Sequence, residues 1–388
     1  MILLDVTHTS HTTSQSGIQQ VTRNLFAALS ETEQVQAIIY DPYAKRFRPT
    51  DRNEEANLTL SPNSKPNSAK RGASWSQGQK LRGLLQRYLT TTPKFSTHLV
   101  SAIIVPEIIP PKTPIEAYLN LRTQTNAPLT AVFHDAIALK FPELTPDKTV
   151  QYFPHYLEKL RQFDKIAAVS QSSQTDLLEY WSNQGKSPLP ETKAIPLGTH
   201  PAPSSPSSSL SPSLSPMILF VGSIEGRKNH LAALEALEQL WSEGLEFSLE
   251  LVGGSVPETG QPAIDLLEQL VQKGRPITAH GPSSDAQVND CYHRCAFTLY
   301  PSLWEGYGMP VIESLQRGKP SVCSDRGGLA ETIIDGGCLI PQTLDSIGIA
   351  NSVKTLIEKP QELSQLTKVT KNISFKSWQQ YAHDIKSC

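Results

Sequence analysis

Residues 301–318, PSLWEGYGMPVIESLQRG, decide how the chain is read. They follow Phe297 and Leu299, which alternate as in a buried strand, so the stretch reads as a strand end, a glycine-rich turn and the opening of a helix. Gly306 and Gly308 let the backbone bend tightly and approach a ligand. Pro310 suits the first helical position, where no amide hydrogen is needed. Backbone amides at such a helix start form an anion site. Glu305 and Glu313 bracket the turn, and a carboxylate accepts paired hydrogen bonds from vicinal hydroxyls. An anion site between two such acceptors suits a sugar attached to a nucleotide diphosphate.

Strand and helix alternate on both sides of this turn. Upstream, MILFVGS places a buried strand at 217–221 before Gly222, followed by Glu225-Gly226-Arg227-Lys228-Asn229 and a helix over 230–241. Arg227 and Lys228 stand at a helix start, where the dipole disfavours cations, and an anionic ligand would resolve that conflict. Further strands at 247–252, 277–281 and 321–324 alternate with helices at 263–273, 285–295, after Gly328 and at 347–357. Such alternation predicts a doubly wound parallel sheet over 217–373. PAPSSPSSSLSPSLSP, residues 201–216, has nothing to bury and reads as a linker.

The spacing of Glu305 and Glu313 within EGYGMPVIE resembles the motif of retaining glycosyltransferases of the GT-B architecture, family 4, the group 1 glycosyl transferases. The resemblance implies an α/β fold of two Rossmann-like domains facing across a cleft. The first, 1–200, would bind acceptor and the second nucleotide sugar, with a C-terminal segment, 374–388, crossing back as a helix onto the first. It implies that Glu305 holds hydroxyls of the donor sugar and Glu313 the ribose, that Gly306, Tyr307 and Gly308 line the donor site, and that Lys228 pairs with the donor diphosphate. Many members carry an arginine directly after the first glycine; Ser223 stands there in this chain, and Arg227 would supply the second charge. The EGRKN segment resembles mannosyltransferase-like members, which makes GDP-mannose the favoured donor over another NDP-sugar. The implied reaction retains anomeric configuration by same-face attack, and the implied acceptor is a glycan or a lipid-linked sugar.

In the first half, ILLDV (2–6) reads as a strand, with a polar loop, Gly17 and an amphipathic helix after it. Members of the family often use a glycine loop here, which implies a donor contact for Gly17; a simple turn glycine is the alternative. Strands are expected at 35–40, 99–105, 129–133 and 165–169. His134-Asp135 follows the third of these, at the carboxyl end where ligands sit in open α/β sheets. A histidine there can hydrogen-bond a sugar hydroxyl and stabilise charge at the reacting carbon, and His134 in VFHDAIALKFPE resembles the family's active-site histidine. The alternative is a loop histidine whose tautomer Asp135 fixes.

The chain has 35 Lys+Arg against 37 Asp+Glu, so no global field calls for nucleic acid. Residues 43–96 differ, with eleven Lys and Arg against Asp51, Glu54 and Glu55. Their middle reads as a mobile insert. Leu81, Leu84, Leu85 and Tyr88 beside Lys80, Arg82 and Arg87 suit either a basic helix on an anionic membrane or an ordinary core-facing helix with a solvated charged face. MILLDVTHT lacks the pattern of a signal peptide, and no apolar run approaches the ~20 residues that span a bilayer, so a cytoplasmic protein, peripheral on the membrane face at most, is expected. Cys291, Cys295, Cys323, Cys338 and Cys388 are too dispersed for a disulfide framework and read as reduced thiols. No Asp-x-Asp pair occurs, so a metal on the diphosphate is not required, and Lys228 and Arg227 can neutralise the leaving group. Two other classes share these features: a nucleotide-sugar epimerase of the same architecture and a non-catalytic sugar-nucleotide-binding protein.

Overall fold

The computed structural model describes residues 1–60, 75–89, 99–201 and 215–388. Thirteen strands among them form two sheets. The first contains β1 (Ile2–Asp5), β2 (Val35–Asp41), β3 (Arg46–Pro49), β4 (Ala102–Val105), β5 (Leu129–Phe133), β6 (Lys165–Ala168) and β7 (Glu191–Ala194), in the order β3-β2-β1-β4-β5-β6-β7. The second contains β8 (Met217–Val221), β9 (Ser248–Val252), β10 (Ile277–Ala279), β11 (Phe297–Tyr300), β12 (Ser321–Cys323) and β13 (Cys338–Leu339), in the order β10-β9-β8-β11-β12-β13. Every pairing is parallel except β2 with β3. β1, β4 and β5 are buried throughout, as a sheet covered on both faces requires.

The chain divides into two compact units: residues 1–135, 151–198 and 376–388, and residues 136–150 and 199–375. The segment 136–150, expected with the first domain, groups with the second unit. The helix Trp378–Ser387 packs on the helix Gly17–Thr32 of the first unit. Ser377 starts it through a reciprocal cap with Gln380. In the second unit one continuous core runs through Ile218, Phe220, Leu237, Leu249, Phe297, Leu299 and Val322.

Several boundaries differ from the sequence reading. The helix expected at 263–273 begins at Pro257, whose fixed φ suits a first turn, and it runs through Pro262. The turn of 301–318 opens the helix Met309–Gln316, which puts Pro310 second and not first. The helix Pro360–Thr370 and the short edge strands β3 and β7 were not anticipated. Within 43–96, Arg46 and Arg48 belong to β3, and helices occupy Arg52–Ala56 and Gln77–Leu89. The remainder of the expected mobile insert, 61–74 and 90–98, lies outside the described residues, as does most of the linker, 202–214. No helix of the described residues is long and apolar enough to cross a membrane.

Candidate functional site

In the second sheet β8 and β11 are neighbours, and strand order runs outward from them in opposite directions. The loops at the carboxyl ends of two such strands diverge and leave a crevice, the usual place for a ligand in an open α/β sheet. Lys228 comes from the loop after β8, and Glu305 from the loop after β11. Gly222 follows β8 with φ +151°, and a Cβ there would stand 3.0 Å from Cδ of Lys228. Glycine therefore gives the lysine stem its path. A short 3-10 turn, Gly226–Lys228, and the left-handed Asn229 then lead into the helix His230–Ser242.

Lys228 is buried, and its ammonium donates to the Tyr300 hydroxyl and to Oε1 of Glu305, 3.3 Å away. Tyr300 in turn donates to the same Glu305 oxygen at 2.9 Å. The other oxygen, Oε2, lies 2.8 Å from Arg227, which also pairs with Glu225 at 2.9 Å. Burial pushes the Glu305 carboxyl upward, but Arg227 and Lys228 outweigh it and bring it down to about 2. Burial lowers the Lys228 pKa, and Glu305 opposes that. The result is a carboxylate clamped between two cations, already desolvated and fixed in place.

Gly308 precedes the helix Met309–Gln316 with φ +99°, and a Cβ there would come within 2.4 Å of Leu329 Cδ1. Only glycine fits. Tyr307, one residue earlier, is half-buried, and burial raises its hydroxyl pKa. Glu313 has a different set of partners: Tyr292 donates to it at 3.1 Å, and burial raises its pKa against the opposing charge of Arg317. A carboxyl so placed is a ready acceptor for hydroxyls. Within the second unit the fold thus gathers Lys228, Arg227 and Glu305, with Glu313 on the helix that the same turn opens.

His134 and Gly17 belong to the first unit. His134 follows β5, and its Nε2 donates to the Pro106 carbonyl at 2.8 Å, so the neutral ring carries its proton there and leaves Nδ1 as an acceptor. Pro106, and not Asp135, sets the tautomer. Burial lowers the His134 pKa, which keeps the ring neutral. The His134 carbonyl accepts from Ser173. Gly17 opens its helix after Ser16, and a Cβ there would meet nothing within 4 Å. No close approach explains this glycine.

Sequence reasoning missed Tyr300, which counts as one more residue of a buried strand until its hydroxyl is seen between Lys228 and Glu305. It also missed His230, stacked on Phe220 at 4.0 Å; burial, with Lys228 nearby, holds it neutral with a pKa of about 3. In the first unit it missed a buried acidic pair at the crevice between β1 and β4. Glu107 accepts from the amides of His8 and Thr9 at 2.7 and 2.8 Å, and Asp5 accepts from Thr7 and Tyr118. Burial, with repulsion from Asp5, pushes Glu107 up to about 7. The thiol of Cys291 lies with Glu250 and His280 in one group whose ligand atoms are within 4.8 Å of one another. Arg294 engages both oxygens of Glu250, and burial together with Glu250 pushes the thiol up to about 12. That arrangement carries its own internal cation.

Residues 203–373 match the family described as Glycosyl transferases group 1. The serotype-specific mannosyltransferase WbdA of Escherichia coli is 28% identical over 212 residues, 50% of this chain and 25% of that protein. The O-antigen chain mannosyltransferase B of Escherichia coli is 30% identical over 228 residues, 55% of this chain and 58% of that protein. The match thus spans about a quarter of the first relative's length and little over half of the second's. Among solved structures, a sucrose-phosphate synthase from Thermosynechococcus elongatus superposes with a TM-score of 0.66 at 19% identity, over 100% of this chain and 97% of that one. The Anabaena protein HepE in complex with UDP-glucose gives 0.67 at 17%, over 100% and 98%. Residues 203–373 thus resemble a glycosyl transferases group 1 domain, and the chain shares the two-sheet α/β fold of these solved structures.

Proposed function

We propose that this chain is a retaining hexosyltransferase that moves a sugar, with mannose favoured, from a nucleotide-diphosphate donor to a glycan or lipid-linked acceptor in polysaccharide assembly. The carrying observation is the buried Lys228–Tyr300–Glu305 cluster, with the half-buried Arg227 beside it, at the crevice between β8 and β11. Two fixed cations there suit a leaving diphosphate, and they stabilise its growing charge without reorganising at the moment of reaction. Among the described residues, two of the three N–H bonds of Lys228 find protein partners, which leaves one to point at a phosphate. With lysine and arginine supplying the positive charge, the reading needs no divalent ion. Mannose is favoured by the similarity to two mannosyltransferases, and GDP-mannose is the donor we assign.

In this reading the bond between the anomeric carbon and the phosphate oxygen breaks on the face where the acceptor hydroxyl attacks. The new carbon–oxygen bond forms as the acceptor's proton passes to the departing phosphate. Glu305 is no nucleophile: a carboxylate held at about 2 between two cations is a weak base. Its task is to hold sugar hydroxyls, as Glu313 holds the ribose, while Gly306, Tyr307 and Gly308 shape the turn against the donor. His134 offers a neutral ring whose proton is fixed on Nε2.

The test is isothermal titration of the protein with GDP, UDP and ADP, each in EDTA and in magnesium, repeated with Lys228→Ala. We expect GDP to bind best, equally with or without the metal, and the variant to lose binding. Preference for UDP would move the donor to a UDP-sugar. Failure of all three nucleotides to bind folded protein would sink the donor site.

A further inference from the structure

The helix Gln77–Leu89 is turned the opposite way from an ordinary surface helix. Leu81, Leu84 and Leu85 share one face by their spacing, and such a face normally packs inward. Here they point out, 61%, 45% and 54% exposed. The polar side is the one that packs. Gln79 donates to Glu54 at 3.0 Å, Arg82 lies 2.9 Å from Asp51, and Arg46 reaches across to the Gln86 carbonyl at 2.9 Å. Gly83 is buried on that side, and a Cβ there would stand 2.7 Å from both Asp41 Oδ1 and Tyr43 Cβ. The glycine lets the polar face close down on the sheet edge. At the start, Trp75 stacks on His11 at 4.0 Å, and Ser76 and Gln79 cap each other. Rolling the leucines inward would break all of these contacts, so the outward stripe is specified by the fold.

A specified apolar stripe marks an interface, and the charges around it say with what. Lys80 and Arg87 are both exposed beside the leucines, and the helix contains no Asp or Glu. In the sequence, residues 43–96 carry eleven Lys and Arg against three acids, in a chain whose net charge is −2. Leucines on one side with cations at their flanks match the boundary between headgroups and acyl chains of an anionic bilayer.

We propose that the helix Gln77–Leu89 docks this chain on an anionic lipid surface, with Leu81, Leu84 and Leu85 entering the acyl boundary and Lys80 and Arg87 meeting headgroup phosphates. The assignment rests on the first unit alone and stands whether or not the chain transfers sugar.

Co-sedimentation of the full chain with vesicles tests it, using phosphatidylglycerol in phosphatidylcholine against phosphatidylcholine alone, at low and high salt. The expected result is binding to the anionic vesicles only, weakening as salt rises. Leu81→Ser, Leu84→Ser and Leu85→Ser together should lower the partition coefficient by roughly tenfold or more. Lys80→Glu with Arg87→Glu should lower it by about tenfold without touching the apolar stripe. All five side chains are exposed, and circular dichroism melts check that both variants fold. Absence of binding by the unaltered chain, equal binding to neutral vesicles, or undiminished binding by the folded leucine variant overturns the proposal. So does a concentration-dependent dimer, seen by light scattering, that the leucine variant abolishes: the face would then belong to a second copy.

Discussion

The two sheets build the same crevice and fill it with opposite chemistry. Both reverse strand order at a central pair, β8 and β11 in the second unit, β1 and β4 in the first. At the second unit's crevice a carboxylate, Glu305, sits between Arg227 and Lys228 and is held at about 2. At the first unit's crevice two carboxylates, Asp5 and Glu107, are held by hydroxyls and amides, and one is pushed to about 7. A phosphate is drawn to the first arrangement and repelled by the second. Topology therefore gives each unit the same kind of crevice, and the side chains alone set which charge it favours.

The largest expected effect breaks the comparison if it fails. Lys228→Ala should lower the rate of sugar transfer by about 100- to 1000-fold, the loss typical of removing one preorganised charge stabiliser. It should also abolish nucleoside diphosphate binding, whereas Glu107→Gln should leave that affinity intact. Equal losses of affinity in calorimetry would mean that the acidic crevice also handles phosphate.

The two carboxylates should also give opposite pH dependences of stability. Glu107 is raised from 4.5 to about 7, so between those values the folded chain keeps a proton the unfolded chain has lost. Its contribution is complete below 4.5 and is lost as pH rises to about 7. Glu305 is lowered from 4.5 to about 2, so its contribution is present above 4.5 and is lost as pH falls toward 2. Each is worth roughly 3 kcal/mol by the size of the shift. Urea titrations across pH should show Glu107→Gln flattening the upper limb and Glu305→Gln the lower. A profile that keeps both limbs in both variants would detach these residues from the pH dependence.

The sharper half of this contrast was legible in the sequence and the other half was not. Arg227, Lys228 and Glu305 each stand within a few residues of a strand end and a glycine, so local pattern was enough to find them. Glu107 acts on Thr9, 98 positions away in the chain, and no local pattern joins them. Tyr300 was hidden for another reason: in an alternating apolar strand a tyrosine looks like core. The helix Gln77–Leu89 shows a third limit. Its apolar spacing is plain, but which side faces inward depends on Glu54, Asp51 and Asp41, which its own sequence does not reveal. β3 and β7 went unread because four-residue, largely polar edge strands carry little hydrophobic signal.

Tyr300→Phe removes one hydroxyl and sharpens the comparison at its core. The hydroxyl accepts from Lys228 and donates to Glu305, so its loss leaves a buried ammonium one partner short while Arg227 still holds the carboxylate. A destabilisation of about 1–2 kcal/mol by urea unfolding is expected.

The smallest effect concerns Gly17. It opens a helix at a normal negative φ with open space where a Cβ would go, so the folded state gains nothing from glycine while the unfolded chain keeps its extra freedom. Gly17→Ala should raise stability by roughly 0.5–1 kcal/mol, read from the urea midpoint at unchanged slope. Gly308→Ala is the control in the second unit: there φ is +99° and Leu329 fills the space, so the same substitution should cost stability. Two glycines at two helix starts would then respond with opposite sign, because only one of them is required by its backbone. If both lose stability, the loop before Gly17 is more closely packed than its open surroundings indicate.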